Sequence, residues 1–494
     1  MPPPNILVIM SDDHAQWASG CYGNRELHTP ALDHLAAGGL RMDKAFTPTP
    51  VCSPARASFF TGLLPSQHGI HDWLWYDVNV HSEAQRSALA GQPSLAGQVT
   101  LAQRLAQAGY RCGLSGKWHC GGDDTPQPGF HFWDALRANR PALGGAYSVG
   151  GTFVERRGWH SEIITDNALR FLREREREQP FFLFVGYIGT HSPWSGHPER
   201  LVTRYRDARF DDIPQNDPGP HGQFTGEGIN VRDREEALAQ YYAAVSHIDE
   251  GVGRLLDELE AQGLREDTLV LYTSDHGLNC SHHGLWGKGN ATRPPNMLEE
   301  SIRVPLLFNW PGRVTPGRAA AHFVDHCDVH ATLLDLAGLD ADSSGGPGRS
   351  LAPLFGDAAA LPDWRRFQAG EYGPTRMWRT SRYKLVREGP GTGAPRSEAT
   401  TARTSPQVGA PRSAVTTART SPQGGRSREL LFDLQADPRE TRDIRAAEPQ
   451  LAADLGAQLD AFFAQYDVPE RSGLRAPQGP RHNFHEAWRE RLEL

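Results

Sequence analysis

The sequence predicts an α/β protein in which a mostly parallel central sheet is flanked by helices and followed by a smaller C-terminal α+β subdomain. Short runs rich in β-branched and aromatic residues alternate with longer stretches whose apolar residues recur every three or four positions. That alternation is typical of a parallel sheet covered by helices. A chain of 494 residues, 38% apolar and 22% charged, is also long enough for one large core and a smaller one.

The larger unit is predicted to span residues 1–363. Its clearest strands are Ile6–Met10, Tyr110–Leu114, Phe181–Tyr187 and Leu269–Thr273. Its helices with the most regular apolar spacing are Ser94–Gln107, Ser161–Arg177 and Arg234–Gln262. Strands separated by helices favour parallel neighbours, whose carboxyl ends meet at one edge of the sheet.

Residues 364–494 carry a second, shorter pattern. Met377–Val386 and Glu429–Leu434 are predicted strands, and Pro449–Phe463 is a predicted helix. Together they indicate a small antiparallel sheet packed by one helix.

A low-complexity tract, roughly residues 389–428 and called the duplicated tract below, separates these two strands. It is rich in Thr, Ser, Pro, Gly and Arg, and is too polar to bury a core. Within it, Gly393–Ser397 returns as Gly409–Ser413, and Thr400–Gln407 returns as Thr416–Gln423. We interpret the duplication over residues 393–423 as an expanded loop rather than a binding element, because loops tolerate insertions at small entropic cost.

Charge, apolar runs and cysteine content indicate which binding partners and which cellular compartment to expect. The net charge is −8 and no basic stripe interleaved with aromatic residues is present, so no nucleic-acid partner is expected. The sequence lacks a basic leader segment and any apolar run near the ~20 residues that span a bilayer, which predicts a cytoplasmic protein with no membrane partner. Six cysteines without a CxxC pair indicate mostly free thiols. A homo-oligomer is compatible with these features.

Acidic residues follow two predicted strands, at the points where ligands bind in open α/β sheets. Asp12 and Asp13 come directly after the first strand, and Asp275 with His276 follows the last. Three carboxylates in one cleft repel one another, so a divalent cation is expected between them. Oxygen ligands favour Ca²⁺ or Mg²⁺, and ligation by His276 would also admit Mn²⁺. Taken alone, an Asp-Asp pair is more often a turn or a helix cap.

The two middle strands lead into further reactive side chains. Lys117 and His119 follow the second strand, and His191 follows the third. A single such lysine is more often solvated and a single such histidine more often structural. Their joint placement at one sheet edge therefore carries the prediction of a site.

Cys52 stands at the predicted start of a helix. Pro54 suits the first helical turn, which places Cys52 at the positive N-terminal end with Arg56 one turn further in. This position favours an anion or a nucleophile. An isolated cysteine is more often a buried structural residue. Beside a hard, oxygen-ligated metal, a working residue would more readily present oxygen than sulfur.

The segment Cys52-Ser-Pro-Ala-Arg56 resembles the Cys-x-Pro-x-Arg signature of the sulfatase family. Other segments resemble the family in the same order: the Asp-Asp pair after the first strand, Gly116–His119, His191–Pro193, Ser274–Gly277, Trp286–Gly289 and Leu431–Pro438. The resemblance covers nearly the whole chain apart from the duplicated tract, and it implies an alkaline-phosphatase-like fold. It also implies that a formylglycine-generating maturation enzyme oxidises Cys52. The implied ligands of a divalent metal, Ca²⁺ before Mg²⁺ or Mn²⁺, are Asp12, Asp13, the modified Cys52, Asp275 and His276.

The same resemblance implies hydrolysis of a sulfate monoester to an alcohol and inorganic sulfate. Hydrated formylglycine, a geminal diol, would attack sulfur with help from the metal and Arg56. Lys117 and Lys288 would clamp the sulfate oxygens. His191 would protonate the departing oxygen, with Lys288 as its competitor for that role. His119 would then remove the proton of the second hydroxyl and so expel sulfate.

The substrate is less defined by the sequence. A sulfated sugar, an aryl sulfate and an alkyl sulfate are all candidates. The predicted substrate-binding residues are His71, Asp72, Trp73, His283 and Arg293.

Two departures from the family pattern keep alternatives open. The chain reads Phe60-Thr-Gly-Leu63 where family signatures often have Leu-Thr-Gly-Arg, and His276 stands where many sulfatases have asparagine. Histidine occurs there in other members, including related phosphonate monoester hydrolases, so His276 leaves the choice between sulfate and phosphonate open, and a phosphonate or phosphate ester hydrolase of the same superfamily is the alternative function. A non-catalytic anion- or glycan-binding protein would not need Cys52. A thiol enzyme is disfavoured by the hard metal setting.

Overall fold

The computed structural model describes residues 3–74, 95, 97–137, 142–214, 223–224, 231, 233–356, 361, 363–388 and 428–475. Its strands are β1 (Asn5–Ser11), β2 (Leu40–Met42), β3 (Ala45–Phe46), β4 (Arg111–Gly116), β5 (Phe132–Leu136), β6 (Leu143–Val149), β7 (Thr152–Trp159), β8 (Phe181–Gly186), β9 (Gln223–Phe224), β10 (Thr268–Ser274), β11 (Asn279–Cys280), β12 (Trp286–Gly287), β13 (Thr292–Arg293), β14 (Leu306–Asn309), β15 (Arg318–Ala320), β16 (Val324–Asp325), β17 (Phe367–Tyr372), β18 (Thr375–Thr380), β19 (Tyr383–Glu388) and β20 (Arg428–Asp433). Its α-helices are α1 (Pro30–Ala37), α2 (Cys52–Thr61), α3 (Pro65–His68), α4 (Leu101–Gln107), α5 (His160–Glu174), α6 (Glu199–Tyr205), α7 (Arg234–Ala261), α8 (Glu299–Ile302), α9 (His326–Leu336) and α10 (Pro449–Tyr466).

A ten-stranded sheet has the order β15-β2-β14-β10-β1-β8-β4-β5-β6-β7. Its middle is parallel, since β1 lies between β10 and β8, and β4 lies between β8 and β5. β14 and β6 each run antiparallel to their inner neighbours. Because the middle strands point the same way, β1, β4, β8 and β10 all end at one edge of the sheet.

The central strands are buried on both faces, as expected for parallel strands covered by helices. Alternate residues of β1 face two different cores. Ile6 and Val8 belong to a cluster shared with α2, α4 and α9. Leu7 and Ile9 belong to a cluster shared with α5 and α7. The helix that begins at Cys52 is therefore packed directly against the sheet.

The predicted fold class is confirmed, and the four predicted strands correspond to β1, β4, β8 and β10, with ends that differ by one or two residues. The long helix α7 begins at Arg234 as predicted, because the side chain of Asp233 caps it. The helix predicted over Ser161–Arg177 ends earlier, since the backbone of Arg175 is extended. Among the described residues, no helix is long and apolar enough to cross a membrane.

The helix predicted over Ser94–Gln107 is wrong at its start. α4 begins only at Leu101. The Thr100 hydroxyl caps it by accepting a hydrogen bond from the Gln103 amide at 3.3 Å. Before it, Gly97 has a φ of +80°, which a right-handed helix does not allow. Ser94 lies outside the described residues.

A separate antiparallel sheet has the order β17-β18-β19-β20 and packs against α10. The predicted small sheet with one helix is therefore confirmed. The predicted single strand Met377–Val386 is wrong, because the chain turns back at Ser381 and Arg382 between β18 and β19. β17 has no counterpart among the predicted strands.

The duplicated tract lies outside the described residues except at its end. Arg428, at the start of β20, pairs with Glu388, at the end of β19. The division of the chain at residues 363 and 364 stays a prediction.

Candidate active site

The predicted reactive residues meet at the carboxyl edge of the large sheet. Asp12 and Asp13 follow the end of β1, and Asp275 and His276 follow the end of β10; all four side chains are fully buried. β1 and β10 are adjacent and in register, with Ser11 opposite Ser274, so the two acidic turns are neighbours. The Asp13 amide donates to the Asp275 carboxylate at 3.3 Å.

Cys52 is the first residue of α2. The preceding residue, Val51, has an extended backbone. Its sulfur lies 3.4 Å from Oδ1 of Asp12, 3.3 Å from Nε2 of His276 and 3.4 Å from Nζ of Lys288. Cys52 is only 2% exposed, so its sulfur is shielded from bulk solvent. The structure thus places a nucleophilic atom type between acidic and basic groups at a helix N-terminus.

Basic side chains bind the carboxylates from three elements. Nε of Arg56 contacts Asp275 at 2.9 Å, and the Arg56 guanidinium also donates to the Lys117 carbonyl at 2.9 Å. Lys117, directly after β4, forms an ion pair with Asp12. Lys288 forms one with Asp13, 2.8 Å from Nζ to Oδ1. These pairs reduce the repulsion among the carboxylates in the buried cleft.

Two overlapping groups of side chains have donor atoms close enough to share one metal ion. The first group is Asp12, Cys52, Asp275 and His276, and the second is Asp12, Asp13 and His191. Within each group the donor atoms lie within 4.8 Å of one another. Oδ2 of Asp13 is buried and has no hydrogen-bond partner among the described residues. A cation would satisfy this oxygen, so the residues fit a metal, and their oxygen donors suit Ca²⁺ or Mg²⁺.

Electrostatics distinguish the two aspartates. Burial raises the pKa of Asp13 to about 7, against the opposing effect of Lys288. Burial also opposes ionisation of Asp12, but Lys117, His191 and Arg56 outweigh it and lower its pKa. Asp12 is therefore the firmly ionised member, whereas Asp13 needs further positive charge to stay ionised at neutral pH.

The same cleft favours negative charge at residue 52. Burial alone would raise the pKa of the Cys52 thiol, yet Lys117, Lys288 and His276 hold it well below its ordinary value. Burial would likewise lower the pKa of His276, but Asp275, Cys52 and Asp13 raise it to about 9. An anionic group at this position is thus stabilised by Lys117, Lys288 and the protonated His276, and a metal ion bound to His276 would replace its proton.

His119 and His191 flank the cleft in opposite electrostatic settings. Burial, aided by Lys117, lowers the pKa of His119. The pKa of His191 is raised, because Asp13 and a hydrogen bond to Cys52 outweigh burial and Lys288. His119 Nε2 contacts the Leu74 carbonyl at 2.8 Å, and His191 Nδ1 contacts the Ser192 carbonyl at 2.7 Å.

Two of the site residues have unusual backbone conformations. Asp13 has a φ of 57° and His119 a φ of 59°, both in the left-handed region that non-glycine residues rarely adopt. Such conformations cost of order 1–3 kcal/mol each and persist where surrounding contacts enforce them. Both residues lie within three positions of a strand end, Asp13 after β1 and His119 after β4.

The predicted substrate-binding residues do not form one cluster as the predicted catalytic and metal-binding residues do. Asp72 accepts a hydrogen bond from the Tyr372 hydroxyl at 2.6 Å, and Trp73 packs partly buried in the cluster around Tyr372. His71 contacts the Arg471 carbonyl at 2.6 Å. His283 is buried and lies 3.2 Å from Glu300. Arg293 belongs to β13, and nothing in the described residues places its side chain.

Several residues that contact site residues or their backbone were not predicted from the sequence. Tyr372 ends β17 in the four-stranded sheet, and Asn296 holds the backbone of Lys288 through its side-chain amide at 2.9 Å. His326 Nε2 contacts the Ser274 carbonyl at 3.0 Å, at the end of β10. None of these follows a parallel strand of the central sheet, so the strand-end pattern carries no signal for them.

Comparison with known proteins identifies the family. The profile described as Sulfatase matches residues 4–339. The chain belongs to the sulfatase family. It is 26% identical over 434 residues to an N-acetylglucosamine-6-O-sulfatase of Bacteroides thetaiotaomicron, covering 74% of this chain and 73% of that one. It is 29% identical over 448 residues to the steryl-sulfatase of Mus musculus, covering 72% and 66%.

Solved structures share the fold of this sulfatase. A structure in complex with D-glucosamine-2-N,6-O-disulfate has a TM-score of 0.72 at 22% identity, covering 94% of this chain and 98% of that one. A phosphonate monoester hydrolase of Agrobacterium radiobacter has a TM-score of 0.66 at 20% identity, covering 94% and 96%. The alkaline-phosphatase-like fold is therefore confirmed, and the chain is a sulfuric ester hydrolase.

Proposed function

We propose that this sulfatase hydrolyses the sulfate monoester of a sulfated sugar, with a formylglycine made from Cys52 as the nucleophile and a divalent cation beside it. The observation that carries the proposal is the position of Cys52 at the first turn of α2, its sulfur 3.3 Å from His276 and 3.4 Å from Asp12 and Lys288. The sugar follows from the relatives, among them sulfatases named for N-acetylglucosamine-6-O-sulfate and N-acetylgalactosamine-6-sulfate.

The proposed metal ligands are Asp12, Asp13, residue 52, Asp275 and His276. When bound, the cation would withdraw charge from the sulfate oxygens and favour the ionised nucleophile. Oxygen donors dominate the set, so Ca²⁺ is the proposed ion. The protein's own contribution is to keep Asp12 ionised through Lys117 and to hold Asp275 in place through its ion pair with Arg56.

Two lysines of the site bind the sulfate group in this proposal. Lys288 Nζ lies 3.4 Å from the Cys52 sulfur, and Lys117 is paired with Asp12, whose Oδ1 lies 3.4 Å from the same sulfur. Both can donate to sulfate oxygens while charge develops on them. Both are almost fully buried, so their interaction with an anion is not weakened by bulk water. We assign them to positioning the ester and stabilising its charge.

The histidines divide the proton transfers. His191 Nδ1 is held by the Ser192 carbonyl, which leaves Nε2 to deliver a proton to the departing alcohol oxygen. Its raised pKa suits a general acid. His119 Nε2 is held by the Leu74 carbonyl, which leaves Nδ1 to accept the proton of the second hydroxyl of hydrated formylglycine. Its lowered pKa suits a base that is neutral before the reaction.

The test is a comparison of kcat/KM on N-acetylglucosamine-6-sulfate, 4-nitrophenyl sulfate and a phenyl phosphonate monoester, using protein matured by a formylglycine-generating enzyme. Cys52→Ala should abolish turnover of all three, whereas the partly buried Cys21→Ala should leave it intact. Preference for the aryl sulfate would contradict the sugar assignment. Full activity of Cys52→Ala would remove the nucleophile from the proposal.

A phosphonate ester hydrolase is the second candidate. It is compatible with His276, whose residue type the resemblance allows in both enzyme classes, and with the fold that the chain shares with a phosphonate monoester hydrolase. A higher kcat/KM on the phosphonate than on every sulfate ester tested would favour this function instead.

A further inference from the structure

Lys288 reaches the cleft from irregular chain. It follows β12 and precedes a single 3-10 turn, so neither a helix nor a strand of the central sheet fixes its backbone. Nevertheless its Nζ lies 2.8 Å from Oδ1 of Asp13 and 3.4 Å from the sulfur of Cys52. Something other than regular secondary structure must hold the backbone of this residue.

Two buried asparagine side chains bind the carbonyls around Lys288. Nδ2 of Asn279 donates to the Gly287 carbonyl at 3.0 Å. Nδ2 of Asn296 donates to the Lys288 carbonyl at 2.9 Å and to the Gly289 carbonyl at 3.3 Å. The backbone amide of Asn296 also donates to the Gly289 carbonyl, at 2.9 Å. Three consecutive carbonyls are therefore held by two side-chain amides.

Ser301 joins the two asparagines. Its hydroxyl donates to Oδ1 of Asn296 at 2.8 Å and accepts from Nδ2 of Asn279 at 2.8 Å. Its carbonyl accepts from the amide of Gly277 at 2.9 Å, and Gly277 follows His276 directly. One residue of α8 thus ties the segment carrying Lys288 to the turn carrying the proposed metal ligands.

α8 is itself anchored by the four-stranded sheet. The Glu299 amide donates to the Glu440 carboxylate at 2.8 Å. Lys384 of β19 contacts Glu299 at 2.9 Å and Glu440 at 2.7 Å, and donates to the Met297 carbonyl at 2.8 Å. Lys384, Glu299 and Glu440 are buried, so their ion pairs hold α8 against the four-stranded sheet.

We propose that Asn296 is the positioning residue for Lys288: its amide, oriented by Ser301, fixes the backbone from which the Lys288 ammonium reaches the cleft. The inference rests on the sulfate-binding role proposed above for Lys288. An amide is required because one end must donate to two carbonyls while the other accepts from a hydroxyl. A carboxylate of the same shape would turn an acceptor toward the Lys288 carbonyl.

The test is a double-mutant cycle on sulfate-ester hydrolysis with Asn296→Asp, Lys288→Ala and the combination. If Asn296 acts through Lys288, Asn296→Asp lowers kcat/KM by about 10- to 100-fold in the wild-type background. In the Lys288→Ala background the same change lowers it by less than about threefold, because the positioned group is already gone. Asn309→Asp is the matched control, a buried asparagine on β14 whose amide donates to the Leu35 carbonyl.

An equal loss in both backgrounds would overturn the inference, since it would mark a purely structural effect. A wild-type kcat/KM for Asn296→Asp would overturn it as well. Should Asn296→Asp fail to fold, as judged by circular dichroism, Ser301→Ala takes its place in the same cycle with the same expectations. Full activity of Lys288→Ala alone would instead sink the sulfate-binding role assigned to Lys288.

Discussion

Asp13 combines an unfavourable backbone with an unsatisfied carboxylate oxygen. Its φ of 57° and its buried Oδ2, which forms no hydrogen bond within the described part of the chain, are each costly, by about 1–3 kcal/mol. Both features make sense if the side chain exists to bind a cation. The unfavourable conformation of Asp13 is then explained by metal binding and not by a need of the fold.

Asp13→Asn should therefore remove the stabilisation that Ca²⁺ gives. For the unsubstituted protein, added Ca²⁺ at 100 times its Kd should raise the free energy of unfolding by about 2.7 kcal/mol. For Asp13→Asn the rise in Tm at the same Ca²⁺ concentration should be small, as measured by calorimetry after chelator treatment. Asp211→Asn, which changes an exposed carboxylate, should respond like the unsubstituted protein. An equal Tm rise in all three proteins would argue against Asp13 as a ligand.

His191 and His119 should fail in different ways. Without the general acid, His191→Gln should lose most on alkyl sulfates, whose leaving oxygen needs a proton, and little on 4-nitrophenyl sulfate; the loss for a poor leaving group should be about 10²–10⁴-fold. His119→Gln should slow the later release of sulfate, so its effect should not depend on the leaving group. Steady-state rates across a series of leaving groups check this, and parallel losses for both variants would contradict the division of roles.

Among the elements, α10 depends on its packing against the four-stranded sheet. Leu459 is fully buried there with Leu385 and Leu431. Leu459→Ala should lower the free energy of unfolding by about 2–5 kcal/mol, through lost burial and the cavity left behind. Urea denaturation measures the change. The neighbouring exposed Gln458→Ala should change it by less than about 0.5 kcal/mol, and a similar loss in both would exclude the packing explanation.

How far an element could be predicted depends on its surroundings. β1, β8 and β10 are buried on both faces, so they appear in the sequence as continuous apolar runs. The turn at Ser381 and Arg382 contains no Gly, Pro, Asn or Asp, so the hairpin of β18 and β19 looked like one strand. Asp12 and Asp275 were predictable as site residues because they directly follow apolar runs that could be recognised as strands. Asn296 and Tyr372 were not, because only tertiary contacts bring them to the cleft.

For the whole molecule, the duplicated tract between β19 and β20 should be dispensable. Glu388 and Arg428 are opposite each other in the antiparallel ladder, so a short turn can join them. Replacing residues 389–427 by a four-residue turn should leave kcat/KM unchanged and raise the free energy of unfolding by roughly 2 kcal/mol, from the lower entropy cost of loop closure. Kinetics and urea denaturation of the shortened protein check this. A large loss of kcat/KM would show that the tract takes part in substrate binding.

The proposed hydrolysis of a sulfate ester depends on the conversion of Cys52 to formylglycine. The decisive measurement is mass spectrometry of the tryptic peptide Ala45–Arg56 from protein purified from its native host, with sulfatase activity measured on the same sample. We expect a mass about 18 Da below that of the thiol form, which marks formylglycine. An unmodified Cys52 in fully active protein would contradict the proposed nucleophile.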